Sequence, residues 1–128
     1  MDLKKIDPAL ELMKEFGKVT NGMPPLIDQM RKKTIFSDGS VPQKYKILTA
    51  MTWAISAKCE PCFKYYIQRA IKARVTENEV GEFLAIASTM GGCVGEMWAL
   101  KAFKAFKDSE SKDTNSISDD EPPSCCVE

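Results

Sequence analysis

Apolar residues along this chain recur at three- and four-residue intervals, the repeat of helices with one face turned inward. Asp7 and Pro8 read as a cap and first helical position, followed by Leu10, Met13 and Phe16 before Gly17 and Asn21-Gly22 close the segment. Pro24-Pro25 open a second, short helix with Leu26, Ile27 and Met30 on one face. Arg31, Lys32 and Lys33 near its C-terminal end either complement the helix dipole or form an anion-binding patch. Ser37-Asp38-Gly39-Ser40 is a turn, and Pro42 starts the most apolar helix. There Tyr45, Leu48, Thr52 and Ile55 share a face with Met51 beside them, while Ile47, Trp53 and Ala54 add bulk on other sides. A helix apolar on most sides belongs in a core or at a subunit contact.

The fourth helix starts around Cys59 and runs to about Ala73, with Phe63, Ile67, Ala70 and Ile71 inward and Lys64, Gln68 and Lys72 outward. Thr76-Glu77-Asn78-Glu79 is a capping box ahead of Val80, Phe83, Leu84 and Ala87. Gly91-Gly92 end that fifth helix and permit close backbone approach before Val94, Met97, Trp98, Ala99, Phe103 and Phe106 make a sixth. No stretch alternates as a strand would. The predicted fold is all-α, a compact bundle of about six helices over residues 1–107. From Asp108 the composition turns to serine and acidic residues, with Ile117 and Val127 as its only aliphatic side chains, so 108–128 is expected to be an acidic disordered tail.

With 128 residues, 44% of them apolar, the chain suits one domain. The formal net charge of zero hides a split: residues 1–107 hold 17 basic and 11 acidic side chains, and 108–128 hold one lysine and seven acids. This means either self-screening or an anionic partner; neither a nucleic acid nor a membrane is expected. The longest nearly apolar run, Ile47 to Ala57, is too short for a span. Histidine is absent, which removes the commonest general base near neutral pH and the commonest metal ligand. Five cysteines without a signal-peptide pattern point to the cytoplasm and to thiols at rest.

The chemistry centres on Lys58-Cys59-Glu60-Pro61-Cys62. Two cysteines three apart at a helix start lie within disulfide reach, and a thiolate there gains from the helix amides and from Lys58 and Lys64. Pro61 fits the first helical turn and stiffens the connection. The alternatives are two buried structural cysteines, or a thiolate metal site drawing on Cys93, Cys125 or Cys126. Four well-placed ligands are not evident, and no metal or cofactor is expected. Cys125-Cys126-Val127-Glu128 has the layout of a prenylation box, although a terminal glutamate falls outside the usual set. Those vicinal cysteines either exchange disulfides with the Cys59–Cys62 pair or belong to an inert tail.

Cys59-x-x-Cys62 at a helix start, the Thr76-x-x-Glu79 box and Gly91-Gly92 after the next helix together resemble the alkylhydroperoxidase D-like branch of the carboxymuconolactone decarboxylase family over about Tyr45 to Lys107. The resemblance implies an all-α fold whose protomers associate into dimers, trimers or hexamers. It implies thiol–disulfide or hydroperoxide-reducing chemistry, with a lipoyl-bearing or thioredoxin-like protein as thiol reductant. Two residues depart from the family pattern: Tyr66 replaces the histidine four after the second cysteine, and Ile47 replaces the glutamate twelve before the first. Tyr66 is a poor base but a hydrogen-bond donor, and Glu60 or Glu96 is the replacement relay. The helix start favours Cys59 as the attacking sulfur, whereas the resemblance favours Cys62. Cys93 lies either near the pair, as in relatives, or buried at a helix start; Trp53 and Trp98 either line a pocket for an apolar hydroperoxide or fill the core. The candidate catalytic set is Cys59, Cys62, Tyr66 and Glu60, and the rival reading is a binding module that kept the fold and lost catalysis.

Overall fold

The structure, a computed structural model, describes residues 6–111. A short 3-10 helix, Pro8–Leu12, leads into α1 (Met13–Val19), followed by α2 (Met23–Thr34), α3 (Gln43–Ser56), α4 (Glu60–Lys72) and α5 (Glu77–Ser111). No strand occurs among the described residues. The first expected helix is divided: Asp7 caps it, its Oδ1 accepting from the Ala9 amide at 2.9 Å, but the opening turn winds as 3-10 and the α-helix continues past Gly17 to Val19. Pro24 and Pro25 stand in the first turn of α2, where a missing N–H leaves no bond unmade. The capping box forms as expected, with the Thr76 amide donating to Glu79 Oε1 at 3.0 Å and the Glu79 amide to Thr76 Oγ1 at 3.1 Å.

α3, α4 and α5 build the core. Leu48, Met51 and Ile55 of α3 meet Phe63 and Ile67 of α4 and Val80, Ala102 and Phe106 of α5, all buried. Burying each large side chain contributes roughly 1.5–3 kcal/mol. Ile47, twelve residues before Cys59, is only 1% exposed and belongs to this core. α1 and α2 pack on each other, with Pro24 buried beside Gly17, and their outer residues Val19, Leu26 and Met30 remain exposed.

The fifth and sixth expected helices are the two arms of α5, 77–91 and 93–111, separated at Gly92 (φ 62°, ψ −143°). The break is a reversal. A Cβ on Gly95 would stand 2.5 Å from the Ala87 carbonyl oxygen, although eight residues of unbroken helix would span about 12 Å. By length and composition α5 would suffice to cross a membrane, with a mean hydropathy of 1.3 over its most apolar window. The reversal divides it into shorter arms, and the second carries Lys101, Lys104 and Lys107. α5 runs through Ser111, four residues beyond the expected domain boundary; the rest of the expected tail, with Cys125 and Cys126, lies outside the described residues.

Candidate functional site: the disulfide at the start of α4

α3 ends in a Schellman turn that also positions the first cysteine. The Cys59 amide donates to the Ala54 carbonyl and the Lys58 amide to that of Ile55, both at 2.9 Å. Lys58 occupies the left-handed position (φ 58°) that glycine usually fills, at a cost of roughly 1 kcal/mol. Cys59 then caps α4 from extended backbone (φ −98°, ψ 96°), and Pro61 lies in the first turn. Here the two sulfurs come together: Cys59 and Cys62 form a disulfide, with Cα atoms 5.2 Å apart. Expected as thiols at rest, the pair is oxidised in this structure. Both residues are partly exposed, and Cys62 packs against the core.

Glu60, between the cysteines, is held by Lys64 Nζ at 2.8 Å. That hydrogen bond draws its carboxyl below the usual carboxylate range, with the charges of Lys64 and Lys101 adding to the effect. A carboxylate stabilised as the anion is a weaker proton acceptor. Lys101, from the second arm of α5, lies 5.2 Å over the Trp98 ring, which meets Phe63 edge-on. Sequence periodicity gave no sign of Lys101, because its nearness to α4 comes from the α5 reversal.

Tyr66 lies one helical turn after Cys62 and is 7% exposed. Its hydroxyl accepts a hydrogen bond from Arg31 Nε of α2 at 3.1 Å, and its ring meets Tyr65 and Phe36. Arg31, which the sequence placed only in a basic run, thus links α2 to α4. Arg69 stacks over Phe36 at 4.1 Å, and burial pushes the neighbouring Tyr65 phenol well above its ordinary value. Cys93 is a free thiol exposed at the α5 corner, correcting the buried alternative, and Glu96 is exposed as well. Among the described residues no cluster of metal-ligating side chains exists.

An open groove of about 540 Å³ runs between α3 and both arms of α5, with Lys58 in its lining. Trp53 and Trp98 both line it, joined by Met90 and Val94. Trp53 is 69% exposed, so it is no core residue. The hydroxyls of Thr49, Thr52 and Ser56 donate to carbonyls of their own helix, which leaves the α3 wall largely apolar.

Residues 23–105 match the carboxymuconolactone decarboxylase family. An uncharacterised protein of Cupriavidus necator is 32% identical over 98 residues, which cover 75% of this chain and 87% of that protein. The crystal structure of an apo carboxymuconolactone decarboxylase family protein from Legionella pneumophila superposes with a TM-score of 0.69 at 26% identity, over 83% of this chain and 95% of that one.

Proposed function

From the membership of this chain in the carboxymuconolactone decarboxylase family, we propose a thiol–disulfide oxidoreductase that reduces hydroperoxides through Cys59 and Cys62. The observation that carries this reading is the disulfide itself, formed at a helix start between two partly exposed cysteines flanked by Lys58 and Lys64. In the reduced protein one sulfur, as thiolate, attacks the terminal oxygen of a hydroperoxide. The O–O bond breaks, an alcohol leaves with one proton, and a sulfenate remains. The sulfenate takes a proton from solvent, the second thiol attacks its sulfur, water leaves with that proton and the thiol's own, and the disulfide closes. A dithiol protein of the lipoyl-bearing or thioredoxin-like kind returns two electrons and two protons. A reducing cytoplasm suits such a cycle.

Glu60, paired with Lys64, tunes local charge in this scheme, and Tyr66 serves as a hydrogen-bond donor near Cys62. The absence of a histidine supports slow turnover, because a positioned general base contributes roughly 10² to 10⁴ in rate. The exposed apolar side chains of Trp53, Met90, Met97 and Leu100 support association of protomers into a dimer, trimer or hexamer. One observation favours the rival binding module: the family's glutamate position is a buried isoleucine and the histidine position a tyrosine tied to Arg31.

The test treats fully reduced protein with one equivalent of an organic hydroperoxide, traps remaining thiols by alkylation and maps the cysteines by mass spectrometry. Rapid appearance of the Cys59–Cys62 disulfide with matching loss of peroxide is expected. The Cys59→Ser, Cys62→Ser double variant is expected to leave the peroxide intact; equal consumption by that variant would remove the reading.

A further inference from the structure

We infer that the groove between α3 and the two arms of α5 binds a medium-chain carboxylate, with its chain along the apolar wall and its carboxylate on Lys58. The inference does not depend on the redox reading of Cys59 and Cys62. A volume of about 540 Å³ falls within the range of small-molecule sites, roughly 300–1,000 Å³, where apolar and aromatic walls bury a ligand and a few polar groups orient it. Ile55 and Ala87 are buried residues of the lining, whereas Trp53, Ile86, Met90 and Val94 stand exposed along it. From Thr49 to Ser56 the α3 wall advances seven residues, about 10 Å. An extended alkyl chain of about eight carbon–carbon bonds covers that distance. Each methylene withdrawn from water there strengthens binding about fourfold, and a methionine lets the wall adjust to a flexible chain.

Charge fixes the chemistry of the other end. Lys58 is the only charged residue in the lining, and because it follows the last turn of α3 its ammonium marks one end of the wall. Among the described residues no carboxylate pairs with it: the neighbouring Glu60 is held by Lys64 at 2.8 Å. Lys101, over the Trp98 ring and close enough to act on Glu60, brings a second positive charge to the same end. A single lysine in the lining matches a monoanion, whereas a phosphate dianion favours several converging donors. The hydroxyls of Thr49, Thr52 and Ser56 direct their protons to carbonyls of α3 and offer a ligand no donor. A compound rich in hydroxyls would therefore leave its own groups unpaired in the groove.

The backbone points the same way. Lys58 holds its place from the left-handed region, where glycine or asparagine is favoured, so the turn itself gives no reason for a lysine. A second copy of this chain is the competing occupant, because Trp53 and Met90 are also among the side chains proposed for association. Met97 and Leu100, exposed but outside the lining, leave association a surface of its own.

Both tryptophans of the chain line the groove, so intrinsic fluorescence reads its occupancy directly. The full chain, with the disulfide formed, is titrated with decanoate and with 1-decanol, each below the concentration at which it self-associates. Decanoate should shift the emission saturably to shorter wavelength and bind about tenfold more tightly than the neutral alcohol, the effect of one charge-assisted hydrogen bond. Lys58→Asn, which fits the left-handed backbone, should lose that preference while still binding decanol, and Lys58→Arg should keep it. Met90→Asp, at an exposed position on the wall, should weaken decanoate more than decanol. Equal affinities for acid and alcohol in the parent protein, or a preference that survives Lys58→Asn, would overturn the assignment. Emission unchanged by either probe would overturn it as well, and sedimentation of the same samples would then show whether a second copy covers the groove.

Discussion

Replacing Tyr66 by phenylalanine removes the oxygen that accepts from Arg31 Nε while keeping the ring against Phe36 and Tyr65. A hydrogen bond from a charged donor is worth roughly 1.5–3 kcal/mol, so chemical denaturation should show a loss of that size. A larger loss would mean that the Arg31 bridge also organises α2. Sequence alone placed Tyr66 correctly one turn after Cys62, because helical spacing is a local property. It could not assign the phenol a partner 35 residues away. The same limit explains Lys101, and it explains Glu60 in part: a lysine four residues on was visible, but the second positive charge from α5 was not.

At the scale of elements, the joints decide the architecture. α1, α3 and α4 each end with a residue other than glycine in the left-handed conformation: Asn21, Lys58 and Arg74. After each of them the next amide reaches back five residues, to the carbonyls of Gly17, Ala54 and Ala70. Two of these joints lack the glycine that sequence reading depends on, so boundaries there were legible only from the prolines and the capping box that follow. The α5 reversal was legible from Gly91-Gly92, yet the close approach it permits falls at Gly95. Gly95→Ala should force the arms apart and cost about 1–3 kcal/mol, the range for overpacking a close contact. Gly91→Ala, with open space around its Cβ position, should shift the urea midpoint much less. Equal shifts in the two variants would show that the backbone contact at Ala87 does not hold the hairpin.

For the whole molecule, ion pairs and a buried phenol set the pH range of stability. Glu60 and Glu79 have their carboxyls drawn down, first by hydrogen bonds from Lys64 and Lys44 respectively. A carboxyl depressed in the folded state stabilises above its unfolded value of 4.5, and that contribution disappears as pH falls through the lower folded value. Lys44 and Lys107 are raised by the hydrogen bonds they donate to Glu79 and Glu77, and Tyr65 is raised by burial. The lysine contributions are complete below 10.5 and lost above it; the neutral, buried Tyr65 favours the fold until pH exceeds 10.0, where the unfolded phenol ionises. Thermal midpoints of the oxidised protein should therefore stay level from about pH 5 to 9 and drop on both sides. A midpoint that climbs steadily across that interval would contradict these pairings.

The α5 corner also bears on how this sequence is free to change. The arms approach each other most closely at Gly95 and Ala87, backbone to backbone. Met90, at 82% exposure, and Val94, at 53%, line the groove and lie outside the core. Substitution there is tolerated as far as folding is concerned. Whatever constraint a comparison of many sequences finds at those two positions must come from what they touch beyond this chain.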